Sequence, residues 1–132
     1  MAIELIDFDL STQEMRVLRK TAAQAVISLR LKDIEISIIS IISQRIKNLN
    51  KLYRQQDVVT DVLSFRYEDE GEIFICLPQT KRQAKENKVT LREELQKLIV
   101  HGMAHLAGYD HIKTRDFQEM KKIEDRILNK VK

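Results

Sequence analysis

The chain has 132 residues and a mass of 15.5 kDa, with 23 Lys and Arg against 20 Asp and Glu, for a net charge of +3 and a pI near 9.0. This length predicts a single domain, residues 1–132, able to bury about two-thirds of its unfolded surface. A chain that is 43% apolar and 33% charged has the composition of a soluble globular protein. No apolar run approaches the roughly 20 residues of a membrane helix, and the N-terminus lacks the basic start and apolar centre of a secretion signal. The mild basic excess favours a polyanionic partner without requiring one. Cys76 is the only cysteine, so an internal disulfide is excluded and a reducing cytoplasm is the expected location.

Residues 2–7 predict a first strand. Ser11 and Glu14 then form a capping box, in which each side chain satisfies the other residue's free backbone N–H. Met15, Leu18, Ala22, Val26 and Leu29 continue as a helical stripe. Ile34, Ile36 and Ile38 alternate with Glu35 and Ser37, the pattern of a half-buried strand. A short helix follows over about residues 43–53 and brings Arg54 to its end. Residues 62–65 predict a third strand. A fourth is expected over residues 72–77, with Ile73, Ile75 and Leu77 on one face and Cys76, a small packing thiol, on the other. Thr90 and Glu93 form a second capping box, and Leu91, Leu95, Leu98 and Ile99 anchor the helix it opens. Phe117, Met120, Ile123 and Ile127 mark a closing amphipathic helix. Helices and strands mix without strict alternation, so the expected class is α+β, a small mixed four-stranded sheet packed with about five helices.

The second capped helix carries the chemistry. All three histidines, His101, His105 and His111, lie within eleven consecutive positions. His101 and His105, at i and i+4, leave the helix on one face. Gly108 supplies the left-handed residue that ends the helix and turns the chain back, so that His111 completes a set of three nitrogens. Imidazole suits zinc, and three protein ligands with an open fourth position describe a catalytic site. One Zn2+ per chain is expected. The alternative, three unrelated histidines at a solvated helix end, fits poorly with the absence of any other histidine and with the placement of Gly108. The same offsets occur in zinc proteases of the H-E-x-x-H-x-x-G-x-x-H type, where the glutamate is the general base. Gly102 stands at that position here, so peptide hydrolysis is the weaker reading.

The run from His101 to His111, H-G-x-x-H-L-x-G-Y-D-H, resembles the signature of the YbeY family, bacterial endoribonucleases of ribosomal RNA maturation. A second block, Asn50, Tyr53, Arg54, Asp57, Thr60, Asp61 and Val62-Leu63-Ser64-Phe65, is similar to the family's N-x-x-Y-R-x-x-D-x-x-T-D-V-L-S-F. Gly71-Glu72-Ile73-Phe74-Ile75 is similar to its G-D-I-x-I strand. Glu72, Arg66 and Ala104 depart from the usual aspartate, proline and leucine, and none is a proposed ligand. The resemblance implies a zinc-dependent endoribonuclease acting on single-stranded regions of ribosomal RNA, at the 3′ end of the small-subunit precursor. It also implies the small ribosomal subunit and its assembly factors as partners, with no membrane.

The resemblance further implies that Arg54 is catalytic. A guanidinium aimed at the phosphoryl oxygens would stabilise the charge that develops there in the transition state. On spacing alone, a surface ion pair of Arg54 with Asp57 or Asp61 reads better. Asp110 is a candidate to orient a ligand histidine or, equally, to cap the turn. Glu94, about 10 Å along the helix from His101, is expected to be a solvated carboxylate, and Tyr109 to pack or to stack a base. Arg45, Lys47, Lys51 and Arg54 form one basic group and Lys81, Arg82, Lys85 and Lys88 another. Lys51 and Arg54 are the candidate RNA contacts. A reading from another class keeps the metal as a structural element of a non-catalytic RNA-binding assembly factor.

Overall fold

Alternating apolar residues in the middle of the chain build the sheet. The computed structural model describes residues 3–109 and 114–132, apart from the side chains of 114 and 115. Among the described residues the order is β1 (Ile3–Ile6), α1 (Thr12–Leu29), β2 (Glu35–Ile41), α2 (Ser43–Arg54), β3 (Val62–Arg66), β4 (Glu70–Cys76), α3 (Leu77–Glu86), α4 (Leu91–Leu106) and α5 (Thr114–Lys130). The strands form one mixed sheet in the order β1-β2-β4-β3. β1 and β4 both run parallel to β2, in register Ile3 with Ile36 and Ile38 with Ile73. β3 closes the other edge antiparallel to β4, pairing Ser64 with Ile73. The α+β architecture expected from the pattern is the one observed.

Period-2 alternation divides the strand residues between two faces. Ile36, Ile38, Ile73 and Ile75 point into the main core beneath α1 and α4, with Leu18, Ala22, Leu95, Ile99 and Met103 packed against them. α5 lies across α1 and α4. A smaller cluster of Ile41, Ile46, Leu63 and Cys76 fills the opposite face under α2. Both capping boxes form, Ser11 with Glu14 and Thr90 with Glu93.

Two details differ from the sequence reading. β4 begins at Glu70 and ends at Cys76, and Leu77 opens α3 instead of closing the strand. Pro78 explains the break: it lies in the first turn of α3, where its missing N–H costs nothing. Phe117 is 50% exposed, although Met120 and Ile127 on the same helix are buried. Glu72 is long enough to accept a hydrogen bond from the Tyr67 hydroxyl at 2.9 Å across the β3–β4 turn. The carboxylate so placed raises the pKa of that phenol.

Candidate active site

Burial of Leu95, Leu98, Ile99 and Met103 sets the roll of α4. Its histidines therefore emerge on the face turned toward β3 and the α2–β3 connection. His101 Nε2 and His105 Nε2 approach to 3.2 Å, with the rings nearly perpendicular at 87°. The helix then stops sharply. Gly108 adopts φ 97°, its N–H bonds the His105 carbonyl at 3.0 Å, and the Tyr109 N–H bonds that of Ala104 at 3.1 Å. This double closure is the Schellman motif, and only glycine adopts the left-handed residue without strain.

The nitrogen pair fits two ligands of one ion. At the usual zinc–nitrogen length of about 2.0–2.1 Å, nitrogens 3.2 Å apart subtend roughly 105°, close to tetrahedral. The third expected ligand, His111, and the orienting candidate Asp110 lie outside the described residues. No cluster of three or more metal-binding side chains occurs among the described residues.

Glu124, on α5, holds the first histidine from behind. Its Oε2 lies 2.9 Å from His101 Nδ1. An ionised carboxylate only accepts, so Nδ1 donates in this contact and Nε2 is the nitrogen left to face the cleft as a ligand. Sequence reasoning sought this group next to the histidines, at Asp110. It is 23 residues away from His101, where neither spacing nor motif pointed.

Gly102 answers why the position after His101 has no side chain. A Cβ there would stand 2.9 Å from Ile73 Cγ2 and 3.0 Å from Ser64 Oγ. Ser64 Oγ also donates to the Gly102 carbonyl at 3.2 Å. The residue is buried against β3 and β4, so a glutamate at this position would meet the sheet.

In front of the histidines is a cleft of about 690 Å³, lined by Arg54, Arg66, Asp61, Ser64, His101 and His105 among others. Arg54 reaches it from the end of α2. One Nη2 donates to the Ser64 carbonyl at 3.2 Å, and the guanidinium lies 5.8 Å from the centre of the Phe65 ring. Neither candidate ion pair holds Arg54. Asp57 instead lies 3.9 Å from Lys51 Nζ, and Asp61 accepts from Gln83 Nε2 at 3.0 Å and from Thr60 Oγ1 at 3.4 Å. Lys51, with 68% of its side chain exposed, is not among the residues that line the cleft. Asn50 is buried and donates to the Val58 carbonyl at 3.1 Å, which ties down the connection to β3.

Two further residues were missed by the sequence reading. Arg66 lines the cleft and donates through Nη1 to the Leu106 carbonyl at 2.7 Å, joining β3 to the end of the histidine helix. A cation there also complements the helix dipole. Glu94 is the second, and the solvated carboxylate expected there is instead 2% exposed. Asn87 Nδ2 donates to it at 3.2 Å and Lys97 Nζ lies at 3.3 Å. Gln83, the donor to Asp61, also reaches it at 3.5 Å. α3, invisible in the apolar pattern as a partner of α4, supplies Gln83 and its C-cap supplies Asn87, and the two amides make the burial tolerable. Tyr109 lines the cleft while packing against the main core.

Residues 3–132 match the family model described as endoribonuclease YbeY. Among curated relatives named "Endoribonuclease YbeY", that of Sulfurihydrogenibium sp. (strain YO3AOP1) is 37% identical over 96% of this chain and 91% of its own length. That of Aquifex aeolicus (strain VF5) is 38% identical over 86% and 81%. The solution structure of TM1509 from Thermotoga maritima superimposes with a TM-score of 0.66 at 28% identity, covering 97% of this chain and 90% of that one.

Proposed function

The chain belongs to the endoribonuclease YbeY family, and from that premise we propose that it is a zinc-dependent, single-strand-specific endoribonuclease of ribosome biogenesis. Its substrate in this reading is ribosomal RNA, at the 3′ end of the small-subunit precursor, and its partners are the small ribosomal subunit and its assembly factors in the cytoplasm. The described residues contain no helix long and apolar enough to cross a membrane. The observation that carries the reading is the convergence of His101 Nε2 and His105 Nε2 at 3.2 Å on the wall of a cleft that also contains Arg54.

His101 and His105, with His111 as the third ligand, would hold the zinc. Bound there, it would supply Lewis acidity, enough to lower the pKa of a water and to polarise a phosphoryl oxygen. The chain's own residues do the rest. Glu124 keeps the proton on Nδ1 of His101 and thereby the orientation of the ring. Arg54 is held by the Ser64 carbonyl through one nitrogen. Its remaining N–H groups are the donors proposed for the charge that develops on the phosphoryl oxygens. Arg66 braces the C-terminal end of α4 so that the histidines and Arg54 keep their relative positions.

Peptide hydrolysis loses ground because Gly102 is packed against Ile73 and Ser64, which leaves no room for the protease glutamate. The test is cleavage of a small-subunit RNA precursor fragment by zinc-loaded protein, beside His105→Ala from the same preparation. Wild-type cleavage with none by the variant is expected. Equal cleavage by both, or none by either, would remove the catalytic claim and favour a non-catalytic RNA-binding assembly factor.

A further inference from the structure

A groove of about 440 Å³ runs between α4 and α5, a volume within the range of about 300–1,000 Å³ typical of ligand pockets. Leu98, Phe117, Met120 and Leu128 contribute its apolar surface, and Lys97 and Lys121 its cations. His101 and Asp61 line this groove and also the cleft that contains Arg54. The two concavities are therefore neighbours, with His101 and Asp61 as the wall they share.

We propose that this groove is a nucleobase subsite, receiving one unstacked base of a single-stranded RNA next to the phosphodiester held at the histidines. The proposal rests on the nuclease reading and deepens it. A phosphodiester at His101 and His105 has a nucleoside on each side. One side enters the cleft with Arg54 and Arg66, and the other meets the groove.

The chemistry of the lining suits a base more than a phosphate. Asp61, Glu124 and Asp125 would repel a phosphate placed deep in the groove, whereas the apolar side chains match the flat face of a base. Phe117 is the anomaly this explains. It belongs to the apolar stripe of α5, yet half its surface is open while Met120, one turn further, is 1% exposed. An aromatic ring left open beside an active site is the stacking platform that single-strand binders use. Lys97, whose ion pair with Glu94 leaves 54% of the side chain exposed, and Lys121 also line the groove and are the cations it offers to a flanking phosphate.

The test uses zinc-loaded full-length protein and 2′-O-methyl RNA hexanucleotides, which resist cleavage, with the base removed at one position at a time. Binding is read by fluorescence anisotropy. For the wild type, loss of one particular base is expected to weaken binding about tenfold, within the range for stacking on an aromatic residue. Phe117→Leu, which keeps the apolar contact and loses the flat face, should weaken the intact hexamer by a similar factor. The same base removal should then cost it less than twofold more, and Phe117→Tyr should restore the wild-type profile. If Phe117→Leu shows the same base-removal profile as the wild type, the subsite is overturned, with the nuclease reading untouched. If the wild type binds no RNA, both fall together.

Discussion

Removal of the Glu124 carboxylate should loosen zinc without unfolding the protein. The contact is a charge-assisted hydrogen bond of 2.9 Å between Glu124 Oε2 and His101 Nδ1. Hydrogen bonds of this kind contribute about 1.5–3 kcal/mol. The side chains keep 33% and 17% of their exposure, so water screens the pair and the lower end of that range applies. At about 1.4 kcal/mol per factor of ten, Glu124→Ala should weaken zinc binding about tenfold, the low end of the 10–100-fold known for such supporting groups. Glu124→Gln retains an acceptor oxygen without the charge and should lose only about threefold. Competition against a chromophoric chelator measures both constants, and circular dichroism of the metal-free variants confirms an unchanged fold. An alanine variant that binds zinc within twofold of the wild type would refute the claim that Glu124 orients His101.

Gly102→Ala places a methyl group 2.9 Å from Ile73 Cγ2. Overpacking of about 1–3 kcal/mol, less the roughly 1 kcal/mol that alanine gains over glycine in a helix, leaves a net loss of about 1 kcal/mol; a urea midpoint equal to or above the wild type would contradict the packing argument. Arg54→Ala should retain zinc and lose about 10²–10³ in cleavage rate, with Arg54→Lys failing to restore it because the planar fork of donors is gone; full activity in the alanine variant removes Arg54 from the chemistry, and full activity in the lysine variant alone removes the need for the fork. The hydrogen bonds from the Thr90 backbone and hydroxyl lower the pKa of Glu93. Its ionised form therefore adds stability above the pKa of the unfolded chain, and that contribution is lost as pH falls through the lower folded value. The urea-midpoint gap between wild type and Glu93→Gln should accordingly be present at neutral pH and shrink in acid, and a gap independent of pH would overturn the assignment.

Features that depend on neighbours along the chain were legible. The capping boxes at Ser11 and Thr90, the i, i+4 histidines and the left-handed turn at Gly108 all require residues within a few positions of one another. The alternation in β2 was readable for the same reason. The end of β4 was misplaced because Leu77 continues the alternation of Ile73 and Ile75, whereas Pro78 in the first turn of α3 settles the boundary. Glu94 was misjudged because exposure was assigned from its own helix, without the amides that α3 brings to it.

By itself, the sequence determined the α+β class, the place and type of most elements, the paired histidines and, through its two long motif blocks, the family. Tertiary structure alone decided the β1-β2-β4-β3 order, the carboxylate of Glu124 behind His101, the brace from Arg66 to Leu106 and the packing that excludes a side chain at Gly102. The division has one physical cause. Periodicity and capping are set by contacts between residues three or four apart, which any reading of the chain can count. The groups that orient the site lie 23 and 40 positions from what they hold, and only the packing of α5 and β3 around α4 brings them within hydrogen-bond reach.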